Sequence, residues 1–142
     1  MQAEDLYAGV ATELRKLIAL SVLHNEQVAA RVGMSLSEMQ ALHLIQLHGP
    51  LSPGQLAELT GLTTGSITAV IDRLEELGLA KRERQTDDRR RVVVSTQPDR
   101  IAEVLDVHFA QYAELVQKAM AASSSEELTA VLAFLKRLSE GN

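Results

Sequence analysis

The sequence predicts a mostly α fold with a small β-hairpin wing: a winged helix-turn-helix between long N- and C-terminal helices. Three observations predict it. Within an apolar fraction of 46%, aromatic residues amount to two Tyr and two Phe with no Trp, so the core is aliphatic, and the abundant Leu and Ala favour helix. Apolar residues recur three and four apart over most of the chain. Only between 80 and 96 does the pattern change to short strand-like runs around a charged turn.

In the first helix, expected over 6–31, Leu6, Val10, Leu14, Leu17, Ile18 and Val28 fall at helical spacing with no proline among them. Met34-Ser35-Leu36-Ser37 breaks it, and Ser37 is the expected N-cap of a second helix that His48-Gly49-Pro50 ends. Ser52-Pro53-Gly54-Gln55 starts a short third helix. Ser52 stands at the N-cap, Pro53 at N1, where a missing N–H costs nothing, and Gln55 at the reciprocal capping position. Gly61 closes it. Thr63 caps a fourth helix whose apolar face is Ile67, Val70, Ile71, Leu74 and Leu77; Gly78 fits C′, and Leu79 can fold back on Leu74. Residues 80–84 and 91–96 suit two strands, the second rich in β-branched side chains, joined by a polar turn from Gln85 to Arg90. Pro98 ends the second strand and Asp99 is expected to cap a fifth helix reaching about residue 122. Ser123-Ser124-Ser125-Glu126-Glu127 offers overlapping capping boxes for a last helix carrying Leu128, Val131, Leu132, Leu135 and Leu138.

Length and charge bound the function. A chain of 142 residues is one domain's worth, and 14 basic against 19 acidic residues give a net charge of -5. A globally basic nucleic-acid coat protein is thereby excluded, while a local basic patch is not. The absence of cysteine removes disulfides, thiolate metal sites and thiol redox sensing together. Apolar runs fall well short of the roughly 20 residues that span a bilayer. Glu4 and Asp5 stand where a signal peptide would be positive, so a cytoplasmic protein is expected.

The third and fourth helices fit a helix-turn-helix, with Ala57 allowing close approach, Gly61 taking the turn and Ile67 buried between them. The outward face of the fourth helix shows Thr64, Gly65, Ser66, Thr68, Ala69 and Arg73. Small hydroxylated residues at a helix N-terminus let a backbone come close to DNA and can bond phosphates or base edges. The hairpin supplies charge: residues 81–91 hold six basic side chains (Lys81, Arg82, Arg84, Arg89, Arg90, Arg91) and three acidic ones (Glu83, Asp87, Asp88), a local +3 in a chain of -5. Placed directly after a helix-turn-helix, such a turn points to phosphates and a narrow minor groove.

The series Leu74-Glu75-Glu76-Leu77-Gly78-Leu79-Ala80-Lys81-Arg82, followed by Asp88-Arg89-Arg90 and a β-branched strand, resembles the MarR family of bacterial transcriptional regulators, and the resemblance extends over the whole chain. It implies a single domain over 1–142, in which 36–97 is the winged DNA-binding lobe. Segments 5–33 and 99–140 would then be dimerisation helices that interdigitate with a second copy. It further implies a repressor of a pseudo-palindromic double-stranded operator, with the fourth helix in the major groove and the hairpin in an adjacent minor groove. Carried over by position, Thr63, Thr64, Ser66, Thr68 and Arg73 belong to the reading helix and its flanks. Arg84, Arg89, Arg90 and Arg91 belong to the wing, with Asp88 orienting an arginine. Where many relatives have Leu-Thr and then a Gly, this chain has Ser95-Thr96-Gln97-Pro98-Asp99, so its approach to the fifth helix departs from the family pattern. The oxidation-sensing branch of the family uses an N-terminal cysteine that this chain lacks.

Family members often release DNA when a small lipophilic or phenolic anion binds between the lobe and the dimerisation helices. His24, His43, Phe109 and Tyr112 are the candidates for such a wall, and core packing is the plainer reading of each. His43 and His48 lie five apart, on different helix faces, so neither metal nor cofactor is expected. No nucleophile elbow, phosphate loop or zinc-protease motif is present, and an enzyme is not expected. The competing reading is a winged-helix interaction module whose hairpin binds an acidic partner without specific DNA binding.

Overall fold

Helix α1 (Ala3–Val32) begins with Glu4 and Asp5 in its first turn, where carboxylates favour the positive end of the helix dipole. It ends on Gly33, whose φ of 72° lets Met34 N–H turn back to Ala29 O at 2.9 Å. Helix α2 (Leu36–His48) is capped by Ser35, not by Ser37 as expected. Ser35 Oγ accepts from Glu38 N at 3.1 Å, and Glu38 Oε2 accepts from Ser35 N at 2.8 Å. Helix α3 (Pro53–Thr60) carries the expected Ser52–Gln55 box and ends on left-handed Gly61. Helix α4 (Thr64–Glu76) is capped by Thr63.

The exit of α4 sets the wing. Gly78, at φ 74°, donates to Glu75 O at 3.0 Å, and Leu79 N–H reaches Leu74 O at 3.0 Å, a complete Schellman motif. Leu77, expected on the buried face, takes the C-cap and is half-buried. A side chain at a left-handed position strains the backbone by about 1–2 kcal/mol. Gly78→Ala is therefore expected to lower stability by about that amount in urea unfolding, whereas Gly65→Ala, inside a helix, should not lower it.

Strands β1 (Ala80–Arg84) and β2 (Val92–Thr96) pair antiparallel, with Arg82 opposite Val94. Leu51, between α2 and α3, forms a one-residue bridge to Val94. Its N–H meets Val94 O at 3.1 Å and its O receives Val94 N–H at 2.7 Å. The core gathers where these elements meet, with Met39, Leu42, Ile45, Leu56, Ile67, Ile71, Leu74, Leu79 and Val94 all fully buried. It is aliphatic, as the composition requires.

Beyond the hairpin the expected fifth helix is broken into three parts: α5 (Pro98–Ile101), a π-helical segment (Ala102–Asp106) and α6 (Val107–Ala121). Its N-cap is Gln97; Asp99 lies in the first turn because Pro98 takes N1. Helix α7 (Ser125–Glu140) is capped by the Ser124–Glu127 box. The computed structural model describes residues 1–141, which form two compact units, one ending at Leu105 and one beginning at Asp106. Helix α1 buries only Val28 and Ala29, and α6 and α7 bury nothing. No helix among the described residues is long and apolar enough to cross a membrane.

Candidate nucleic-acid interface

Packing Ile67, Val70, Ile71 and Leu74 inward turns Thr64, Gly65, Thr68, Ala69 and Asp72 outward, and all five are exposed. Thr63 and Ser66, at the start of the helix, are exposed too. The hydroxyls are partly committed. Thr63 Oγ1 accepts from Ser66 N at 3.2 Å and donates to Ser66 Oγ at 2.9 Å, while Thr68 Oγ1 donates to Thr64 O at 2.9 Å. Arg73 is drawn away from this face. Its Nη2 donates to Gly33 O at 3.1 Å, at the end of α1, and its Nη1 pairs with Glu76 at 3.2 Å.

The hairpin holds two classes of cation. Arg82, half-buried on the side of β1 that faces Val94, bridges two carboxylates of α4, Asp72 at 2.8 Å and Glu75, and its N–H also donates to Glu75 Oε2. Lys81 pairs with Glu83 at 2.7 Å. Hydrogen bonding to Lys81, aided by its charge and by Ser95 and opposed by partial desolvation, holds the Glu83 carboxyl below the ordinary carboxylate range. Glu83 and Lys81 thus form an exposed ion pair within β1.

Arg84, Arg89, Arg90 and Arg91 are exposed and, among the described residues, make no ion pair within 4.0 Å. The turn that presents them is tied by local bonds. Asp88 Oδ1 accepts from Arg90 N at 3.0 Å, Arg91 N–H reaches Asp88 O at 3.0 Å, and Arg84 Nη1 donates to Arg89 O at 2.8 Å. Asp88 thus orders the arginines through their backbone.

The first unit therefore brings Thr63, Thr64, Ser66 and Thr68 onto one helix and Arg84, Arg89, Arg90 and Arg91 onto the wing that follows it, with Arg73 set apart. Of the candidate ligand residues, His24 and His43 lie half-buried in the first unit. Phe109, half-buried, and Tyr112, exposed, lie in the second. Sequence reasoning missed the Arg82 brace and the Leu51 bridge. An arginine at an inward strand position, with Asp72 and Glu75 one helical turn apart nearby, was the available signal for the brace.

Residues 32–91 match the MarR family. Over 80 residues the chain is 40% identical to YcgE of Bacillus subtilis, named as an uncharacterised HTH-type transcriptional regulator; the match covers 56% of this chain and 52% of that protein. The chain thus spans about half the length of that relative. Its fold resembles a MarR family protein from Bacillus stearothermophilus, with 18% identity, a TM-score of 0.66, and 99% and 98% of the two chains covered. It also resembles a mutant of MepR from S. aureus bound to an oligodeoxyribonucleotide, with 16% identity, a TM-score of 0.56, and 99% and 98% covered.

Proposed function

We propose that the chain is a regulator of the MarR family, which residues 32–91 match, and that it binds double-stranded DNA sequence-specifically as a homodimeric repressor of a pseudo-palindromic operator. The observation that carries the reading is the pairing, in one unit, of an α4 face built from small residues with a wing bearing four exposed arginines that have no ion-pair partner among the described residues. A helix so faced can lie deep in a major groove, and arginines at the tip can follow phosphates into the minor groove. Two copies related by a twofold axis would read half-sites about 34 Å apart, or a multiple of that. The dimer accounts for the apolar side chains left in solvent on the terminal helices, such as Ile18 and Leu20, each 63% exposed on α1. Release by a small lipophilic or phenolic ligand belongs to the same proposal and rests on family resemblance, with His24, His43, Phe109 and Tyr112 as the residues to substitute.

Binding of the full chain to fragments of its own upstream region, followed by fluorescence anisotropy across a salt series, tests the reading. Tight, selective, salt-steep binding supports it. Weak or indiscriminate binding moves the function to a protein-interaction module.

Arg73 separates contact from support. Because its guanidinium is held by Gly33 O and Glu76, Arg73→Gln is expected to weaken operator binding without changing the slope of log K against log salt. If Arg73 touched phosphate in both half-sites, the slope would fall by about 1.8, and Arg73 would return to the DNA-contacting set.

A further inference from the structure

We infer that α4 recognises its half-site through thymine methyl groups, contacted by the methyls of Thr64, Thr68 and Ala69. The inference rests on the DNA-binding reading and names what that surface reads. Base edges in the major groove are distinguished by few side-chain chemistries. Arg or Lys forks onto guanine, Asn or Gln onto adenine, an acid accepts from cytosine, and Ala or a Thr methyl packs on the 5-methyl of thymine.

The outward face of α4 from Thr63 to Asp72 contains no Arg, Lys, Asn or Gln. Arg73, the nearest such side chain on the helix, is tied to Gly33 O and Glu76. Asp72, the one acid on that face, is held by Arg82 at 2.8 Å. The one guanidinium on the helix is thus tied elsewhere, and one carboxylate oxygen of the exposed Asp72 is engaged by Arg82. Thr68 is exposed and spends its donor on Thr64 O, which turns its hydroxyl hydrogen back onto the helix backbone. Thr63 spends its donor on Ser66 Oγ. Ala69 is exposed with a methyl and nothing else, and Gly65 adds no bulk between Thr64 and Ser66. Hydroxyls such as those of Thr64 and Ser66 remain but serve more than one base, so the methyl groups are what remains on this short-reaching face to single out thymine. A thymine-rich half-site also suits the wing, because A-tracts narrow the minor groove and deepen the potential that attracts arginine.

The test begins by selecting binding sequences from a duplex library with a randomised centre, using the full-length protein. Each thymine of the enriched half-site is then replaced by deoxyuridine, which deletes only the 5-methyl, and each guanine by 7-deazaguanine, which deletes N7. The expected result is a loss of about fourfold in affinity for each contacted methyl, with no loss from 7-deazaguanine. Thr64→Ser and Thr68→Ser, which delete one methyl and keep the hydroxyl, should each erase the deoxyuridine penalty at one position while leaving thermal stability unchanged. Deoxyuridine without effect, a larger loss from 7-deazaguanine, or both serine variants retaining every penalty overturns the inference while DNA binding stands. Failure to enrich any sequence overturns the DNA-binding reading itself, and this inference with it.

Discussion

Replacing Arg89 and Arg90 together by Ala is expected to flatten the salt dependence of operator binding by about 3.6 in slope. Each phosphate neutralised contributes about 0.9 to the slope of log K against log salt, and a dimer loses four cations in the double variant. A wild-type dimer making about 6–10 phosphate contacts loses on the order of 10³–10⁵ in affinity between 50 and 200 mM. The variant should lose far less over that range, having started from a weaker complex. Lys81→Ala is the matched control: its ammonium is already paired with Glu83 at 2.7 Å, so the slope should barely move. Anisotropy at four or five salt concentrations separates these outcomes. An unchanged slope in the double variant would place the arginines off the DNA.

Charge placed in the apolar stripe of α7 is expected to abolish the proposed dimer. Leu132 and Leu135 lie three apart on one helical face and are 55% and 47% exposed in the single chain. If a second copy covers them, each contributes about 1.5–3 kcal/mol by burial, and a twofold interface contains four such leucines. Leu132→Glu with Leu135→Glu also places unpaired carboxylates in that contact, at further cost. Sedimentation at micromolar concentration should show monomer, and operator binding should disappear. Leu132→Ala guards against a general folding failure: it should remain folded by circular dichroism and weaken the dimer by tenfold or more. A double variant that stays dimeric would locate the partner contact elsewhere.

Features set by local chemistry were legible in the sequence. Ser52 and Thr63 cap where expected, Ser124 takes one of the overlapping boxes offered before the last helix, and the Gly78 turn closes through Leu74 as its spacing implies, because each depends on residues within one or two helical turns. The second helix shows the limit of that logic. Ser35 with Glu38 and Ser37 with Gln40 both satisfy the capping-box pattern. The observed start uses the pair whose carboxylate sits in the first turn, where a negative charge gains from the helix dipole. Asp99 was a poorer guide than Pro98, which by taking N1 fixes the cap at Gln97, two residues before Asp99. The candidate interface followed the same division. The small face of α4 and the charged wing are visible in sequence, but the diversion of Arg73 depends on a carbonyl 40 residues away. No periodicity encodes such a contact.

The bridge between Leu51 and Val94 carries a consequence for the order of events in synthesis. The helices on either side of Leu51 can form from nearby residues, but the partner of Leu51 is 43 positions downstream. At an elongation rate of about 5–20 residues per second, roughly 2–9 s pass between polymerising one end of this pair and the other. Throughout that interval the backbone polar groups of Leu51 have water in place of Val94. Contacts at such separation close late and slow the reaction that needs them. Helices α1 to α4 should thus form while the chain is still growing and before the hairpin closes on them, and a nascent chain arrested before residue 94 would carry α4 without the completed hairpin beside it.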